Sequence, residues 1–322
     1  MAIPNSSYDE LASTTLDKYS AKLADNILTH NPLLERLKSK GNTKNFSGGK
    51  KILENLMYAE NDTVAWYSGL EVLNVSQSDV FTSADFDIKE LNANVVISGL
   101  EQAQNSGSKE SVHNLLTSRI RVAEKTMANE MARAIFYGNT ENGGKSLGGL
   151  QHLVSGTPAT GTVGGIDASA NAFWRNQEYD FSDESATASK ATIRTAMNKV
   201  YLNTLRGTDM VDMFIGDVNY FEFYLDSLQE NQRFMDDGQA GSGFKSLKFW
   251  GGAADVFYDA NCPTNTMYAL NTGYIHWRPH SSFNFKTGKS RQSVNQDGTV
   301  IPMFWKGNMT VSNRSLQGII EA

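Results

Sequence analysis

The sequence predicts an α+β fold, and three observations carry that prediction. Residues 108–137 keep one apolar stripe at helical spacing for about eight turns. Residues 46–97 break into short strand-like pieces between polar turns. Residues 187–275 alternate helical and strand patterns, the mark of a mixed layer of helices on a sheet.

The elements follow in chain order. Leu16, Tyr19, Leu23, Ile27 and Leu28 fall at helical spacing and are stopped by Asn31-Pro32. They predict an amphipathic arm that packs on something else. Gly48-Gly49 then opens a segment with strand-like pieces at Lys51–Tyr58, Val72–Val75, Phe86–Ile88 and Ala93–Ser98. Trp66 and Tyr67 stand near its tip. A long two-stranded excursion with exposed aromatics is marginal in water unless a partner covers it.

Charge is segregated in the same region. Residues 36–51 carry Arg36, Lys38, Lys40, Lys44, Lys50 and Lys51 with no acid. Residues 52–90 carry Glu54, Glu60, Asp62, Glu71, Asp79, Asp85, Asp87 and Glu90 against Lys89 alone. Two solvated faces would produce this pattern. So would docking of one subunit's acidic loop on a neighbour's basic arm, which sets register more than affinity. On the second reading Trp66, Tyr67, Glu71 and the six cations of residues 36–51 are inter-subunit residues.

In the long helix Val112, Leu115, Leu116, Ile120, Ala123, Met127, Met131, Ala134 and Ile135 share one face. Ser108 suits its start and Gly138 its end. Its length of roughly 45 Å is far above the mean for a compact domain, so it reads as a spine. A glycine-rich stretch follows. A second helix is predicted at about 187–206, with Ile193, Met197, Val200, Tyr201 and Leu205 aligned. Val211–Gly216 reads as a short buried strand. Asp217 caps a third helix through Gln229, with Val218, Phe221, Leu225 and Leu228 on one face. Short strands close the chain, among them Ala254–Tyr258, Met267–Leu270 and Met309–Ser312.

Composition narrows the function. The chain has 322 residues, 40% hydrophobic and 20% charged, enough for a large core in two or three parts. A net charge of −6 argues against coating nucleic acid through a generally basic surface. Cys262 is the single cysteine, which excludes an intrachain disulfide and a cysteine-based zinc site. Residues 1–30 show no charged-then-apolar signal pattern and no apolar run has membrane-spanning length. The expectation is a protein made in a reducing cytosol, with no membrane partner.

No catalytic constellation emerges. Gly143-Gly144-Lys145-Ser146 resembles the end of a phosphate-binding loop, but the leading glycine is misplaced and the loop follows a helix instead of a strand. Pro279 between His276 and His280 excludes a helical metal pair. The acidic pair Asp236-Asp237 is of a kind any acidic chain supplies. Phe173-Trp174, Phe249-Trp250 and Phe304-Trp305 fit core or interface packing better than a sugar platform. The expectation is a protein that is not an enzyme and needs no cofactor or metal.

The order of elements resembles the major capsid proteins of tailed bacteriophages, a fold shared with encapsulin shell proteins. Asn129-Glu-Met-Ala-Arg-Ala-Ile-Phe-Tyr-Gly-Asn139 followed by Gly148-Gly-Leu-Gln-His-Leu-Val154 looks like that family's long helix and the turn after it. Ala93-Asn-Val-Val-Ile-Ser-Gly-Leu-Glu101 looks like the strand leading in. Gly164-Gly-Ile-Asp167 with Phe173-Trp-Arg-Asn176, Tyr268-Ala-Leu-Asn-Thr272, and Gly307-Asn308 with Ser312-Asn-Arg314 are similar to later family segments. The resemblance spans essentially the whole chain. It implies an N-terminal arm (1–45), an extended β-hairpin loop (46–88), and a peripheral domain (89–185) holding the spine helix. A mixed α/β axial domain (186–275) would follow, then strands returning to the peripheral domain (276–322). It further implies hexamers and pentamers of an icosahedral shell around double-stranded DNA, found in the virion and assembled in the bacterial host cytoplasm. A separate scaffolding protein and a portal protein would be the partners. An encapsulin-like nanocompartment shell is the alternative, and an enzyme using Gly143–Ser146 on a phosphate ligand a further one.

Overall fold

The structure, a computed structural model, describes residues 31–104, 109–139, 141–228, 247–293 and 295–322. The arm helix expected from Leu16 to Leu28, the Ser108 cap and Asp236-Asp237 lie outside the described residues, as do the side chains of Val112, Leu115 and Leu116.

In chain order the first half comprises α1 (Pro32–Ser39), β1 (Lys51–Met57), β2 (Phe81–Asp87), β3 (Lys89–Ser98), α2 (Gly99–Gln104), α3 (Lys109–Tyr137), α4 (Leu150–Leu153), β4 (Thr162–Val163), β5 (Ile166–Asp167) and β6 (Gln177–Asp180). The second half comprises α5 (Ile193–Thr204), β7 (Met213–Gly216), α6 (Val218–Ser227), β8 (Leu247–Phe249), β9 (Ala254–Tyr258), β10 (Thr266–Leu270), β11 (Ile275–Pro279), β12 (Lys286–Thr287), β13 (Arg291–Gln292), β14 (Gly298–Val311) and β15 (Gly318–Glu321).

Two sheets organise the molecule. In the first, β14 is the centre: β3 lies antiparallel along one side, and β13, β12 and β11 succeed one another along the other. In the second, the strand order is β6-β15-β10-β7-β9-β8. Met213, Ile215, Phe257, Tyr268, Leu270 and Ile319 face the core shared with the spine helix. Their alternates Phe214, Val256, Met267, Ala269 and Ile320 face α5 and α6. A sheet buried on both sides gives unbroken apolar runs, which is why Met213–Gly216 was legible as a buried strand.

The spine helix α3 is present over 29 residues, with Met127, Met131, Ala134 and Ile135 buried against the first sheet and Ile120 and Ala123 half-buried. It stops at Gly138 for a steric reason. A Cβ there would lie 2.0 Å from Leu147 O, and one on Gly149 would lie 2.4 Å from Gly138 N. The chain doubles back on itself at this point and only glycines permit the approach.

Several expectations are corrected. Val72–Val75 is not a strand, because no segment among the described residues pairs with it. The second helix begins at Ile193, not near 187; residues 189–192 form a turn in which Ser189 N donates to Thr192 Oγ1 at 3.0 Å. In α6 the buried side chains are Tyr220 and Tyr224, while Val218 is exposed and Phe221, Leu225 and Leu228 are half-buried. The tyrosines win because they reach the sheet: Tyr220 meets Phe181, and Tyr224 donates its hydroxyl to Lys248 O at 2.9 Å. The C-terminal strands do not all join one sheet. β14 and β11 build the first, but β15 enters the second between β10 and β6, so residues 177–180 also belong there. Among the described residues no helix is long and apolar enough to cross a membrane.

Candidate assembly interface

The hairpin of β1 and β2 runs antiparallel from Lys51↔Asp87 to Met57↔Phe81. Strict alternation along β1 turns Ile52, Glu54 and Leu56 inward and Lys51, Leu53, Asn55 and Met57 outward. The inner face, completed by Ala84 and Phe86, packs on the tight β4–β5 turn, where Asp85 N donates to Gly164 O at 2.9 Å. Gly164, at φ +60°, lies so close that a Cβ would sit 2.8 Å from the Ala84 Cβ. Tyr58 stacks near Phe173, ring centroids 5.3 Å apart.

Glu54 is the polar exception on that inner face, 5% exposed. It accepts from Arg278 Nε and from Thr310 Oγ1, each at 2.7 Å, and forms an ion pair with Arg278 Nη2 at 2.6 Å. A carboxylate is tolerable in the interior when paired and hydrogen-bonded in this way. The node fixes the hairpin base to β11 and β14.

Beyond Met57 the character changes. Residues 58–80 form an irregular loop with Trp66, Leu70 and Val72 fully exposed and Val64, Tyr67, Leu73 and Val75 largely so. Hydrogen bonds within it are local: Thr63 and Ser76 donate back to Asn61 and Asn74, and Ser68 N donates to Glu71 Oε2 at 3.2 Å. Monomers rarely expose so much contiguous apolar surface. Of the predicted inter-subunit residues, Trp66, Tyr67 and Glu71 therefore stand together on this loop.

The basic residues divide. Arg36 pairs with Asp255 at 2.8 Å and Asp212 at 3.8 Å, Lys40 with Asp212, and Lys51 with Asp85. Those three cations are held by acids of the same chain, and the bond to Asp85 raises the pKa of Lys51. Lys38, Lys44 and Lys50 remain exposed.

The sequence suggested no buried cation at Arg314, which is fully buried. It donates to Leu153 O at 2.7 Å, Trp174 O at 3.1 Å and Asn176 Oδ1 at 3.0 Å, and burial pulls its pKa down to about 10. Nearby in the chain, Asn308 accepts from Gly148 N at 2.8 Å and donates to Asp87 O at 2.7 Å, joining the turn after the spine to the hairpin. Also unforeseen are Glu178, Asp180 and Glu321, whose carboxylate oxygens lie within 4.8 Å of one another across β6 and β15. Residues so far apart in sequence leave no spacing signal.

The glycine-rich loop does not present a phosphate cradle. Ser146 Oγ accepts from Asn139 N at 3.0 Å and donates to Glu141 O at 3.3 Å, and Gly144 O accepts from Lys89 Nζ at 2.6 Å. The adjacent pocket is about 180 Å³ and walled by Met131, Ala134, Leu147 and Trp305. That is below the usual range for a ligand site. His276 is buried on β11 while His280 packs between Phe46 and Phe283. Trp174, Phe249 and Trp305 are core residues, whereas Trp250 is half-exposed.

Residues 91–313 match the SU10 major capsid protein family. No curated protein matches the chain in sequence. Among solved structures the chain is similar to a subunit of the cyanophage A-1(L) capsid, at 13% identity and TM-score 0.58, covering 94% of this chain and 95% of that one. It is similar to the capsid of Myoviridae phage XM1 at 11% identity and TM-score 0.56, covering 96% and 97%. The holo-SrpI encapsulin complex of Synechococcus elongatus PCC 7942 gives 7% identity and TM-score 0.56, covering 100% and 96%. At these identities the structural likeness is one of fold.

Proposed function

Because the chain belongs to the SU10 major capsid protein family, we propose that its structural capsid role is exercised as hexamers and pentamers of a closed icosahedral shell around double-stranded DNA. The protein is a self-associating component of the virion, and its work is structural. The observation that carries the finer reading is the hairpin. Its base is locked into the subunit by Glu54 and Arg278, while its loop leaves Trp66, Tyr67, Leu70 and Val72 uncovered by the described residues of the same chain. A rigid lever with an apolar end is the shape expected of an element that inserts on a neighbour.

On this reading the extended hairpin, the spine-helix sheet and the six-stranded sheet serve as the loop, peripheral and axial parts of a capsid subunit. Trp66, Tyr67 and Glu71 contact the adjacent subunit, and a separate scaffolding protein, a portal protein and packaged DNA are the partners during assembly in the host cytoplasm. The encapsulin likeness is a likeness of fold, and the family match favours the capsid.

Negative-stain electron microscopy of the purified protein, alone and with its scaffolding protein, tests the proposal. Hexameric or pentameric rings or closed particles are expected. A monomer at every concentration and salt, with or without scaffold, would overturn it.

A further inference from the structure

A cavity of about 630 Å³ opens where the hairpin and the two sheets meet. Leu56 and Met57 of β1 form one wall, the chain leading into β6 a second, and the link between β14 and β15 a third. Its volume is that of a ligand site, and such sites favour the junctions between packed units.

Charge sets this cavity apart. The chain has a net charge of −6, yet among the described residues the lining holds Arg175 and Arg206 and no aspartate or glutamate. A third cation stands behind the wall. The fully buried Arg314 donates to Trp174 O and Asn176 Oδ1, and both of those residues line the cavity. No carboxylate among the described residues pairs with any of the three arginines. A buried charge without a counter-charge is costly, and an anion in the cavity would supply one.

Both lining guanidinium groups are oriented by the backbone and keep donors in reserve. Arg175 gives Nε to Ala168 O at 2.8 Å and Nη2 to Ser169 O at 2.7 Å, which leaves Nη1. Arg206 gives Nη1 to Asn203 O at 3.1 Å and to Leu205 O at 3.0 Å, at the end of α5, which leaves Nε and Nη2. Planar forks held in this way suit the oxygens of a phosphate, and little ordering remains to be done on binding. Tyr58 and Phe173 line the same cavity, their ring centroids 5.3 Å apart and their planes tilted by 35°. They offer aromatic surface to a planar ring.

We propose that this cavity binds a small organic phosphate of the nucleotide type, with its phosphate on Arg175 and Arg206 and its planar ring against Tyr58 and Phe173. The site lies within a single subunit, so it goes beyond the assembly reading and does not rest on the loop contact. A bound ligand ties the hairpin to both sheets and stabilises the folded subunit by mass action.

Equilibrium dialysis of the purified chain against radiolabelled ADP tests it. One ADP per subunit is expected, with adenosine and pyrophosphate each held about tenfold or more weakly because each lacks one half of the recognition. Arg206→Glu, at an exposed position where the fold tolerates the change, should weaken ADP about tenfold or more. Arg291→Glu, an equally exposed cation on β13, should leave the affinity unchanged. No ADP retained at millimolar concentration overturns the proposal, as does an equal loss in the two variants or pyrophosphate bound as tightly as ADP. A second measurement needs no variant. Phenylglyoxal modifies accessible guanidinium groups, and mass spectrometry locates the product. ADP is expected to protect Arg175 and Arg206 and to leave Arg291 reactive; modification of Arg175 and Arg206 at the same rate with and without ADP overturns the site.

Discussion

The two ends of one hairpin obey different physical rules. At its base every inward side chain has a partner within the chain: Ile52, Leu56, Ala84 and Phe86 are buried, and the single carboxylate among them is held by Arg278 and Thr310. At its tip side chains at least as apolar are left in water, and the backbone is held by local turns. The two-stranded part is therefore a product of folding, whereas on the proposed reading the loop is completed by assembly. Marginal stability makes the division sensible, because a loop that packed on its own subunit would have to be released before it could reach another.

The largest expected effect strikes the base. Glu54→Ala leaves Arg278 without its carboxylate in a nearly dry environment and Thr310 without its acceptor. The expected loss is about 3 kcal/mol, the low end for breaking a buried pair, since Arg278 keeps some access to water. Denaturant unfolding of the unassembled subunit measures it. Glu54→Leu combined with Arg278→Met should recover most of the loss, because the cost lies in the orphaned charge. If the single variant is as stable as the wild type, the node does not hold the base and the contrast between base and tip collapses.

The tip should respond in the opposite way. Trp66→Ala removes a side chain that is fully exposed among the described residues, so stability should change by no more than about 0.5 kcal/mol. Particle formation should nevertheless fail, because a buried tryptophan at an interface is commonly worth 2 kcal/mol or more per contact, roughly, and each shell repeats the contact many times. Unfolding and particle yield measured on one preparation separate the two effects. A variant that unfolds early but assembles would reverse the assignment.

What the sequence showed follows the same line between local and distant information. The spine helix was legible because its stripe repeats for 29 residues and its end is marked by Gly138. The buried strand Met213–Gly216 was legible because both faces are apolar. The 14-residue strand β14 was seen only at its end, since Pro302 falls inside it. The structure accommodates that proline where the neighbouring strand changes from β13 to β12, and its carbonyl accepts from Gly288 N at 2.7 Å. Val72 and Val75 have strand-forming side chains, but a strand needs a pairing partner that composition does not reveal. The exposed tip was foreseen from Trp66 and Tyr67. Its anchor was not, because Glu54 and Arg278 are 224 residues apart. Likewise the basic arm looked free until Asp212 and Asp255 came beside it.

The smallest effect sharpens the contrast by comparing Glu54 with a carboxylate that lacks such a partner. Glu178 is partly buried on β6, and burial first, then the charges of Glu321, Asp180 and Asp183, push its pKa up to about 7. Glu321 is raised as well, by burial and by Asp180, while hydrogen bonds from Ser182 lower Asp180. The folded chain thus binds a proton at Glu178 more tightly than the unfolded chain, whose ordinary value is 4.5. The resulting stabilisation is fully present below that value and lost as pH rises to about 7. Solvent around the cluster screens the repulsion, so the expected loss is about 1 kcal/mol. Glu178→Gln should abolish that part of the slope and leave the subunit more stable at neutral pH. Denaturant midpoints taken from pH 4.5 to 8 test it; an unchanged slope in the glutamine variant would show that the three carboxylates tolerate one another as charged groups.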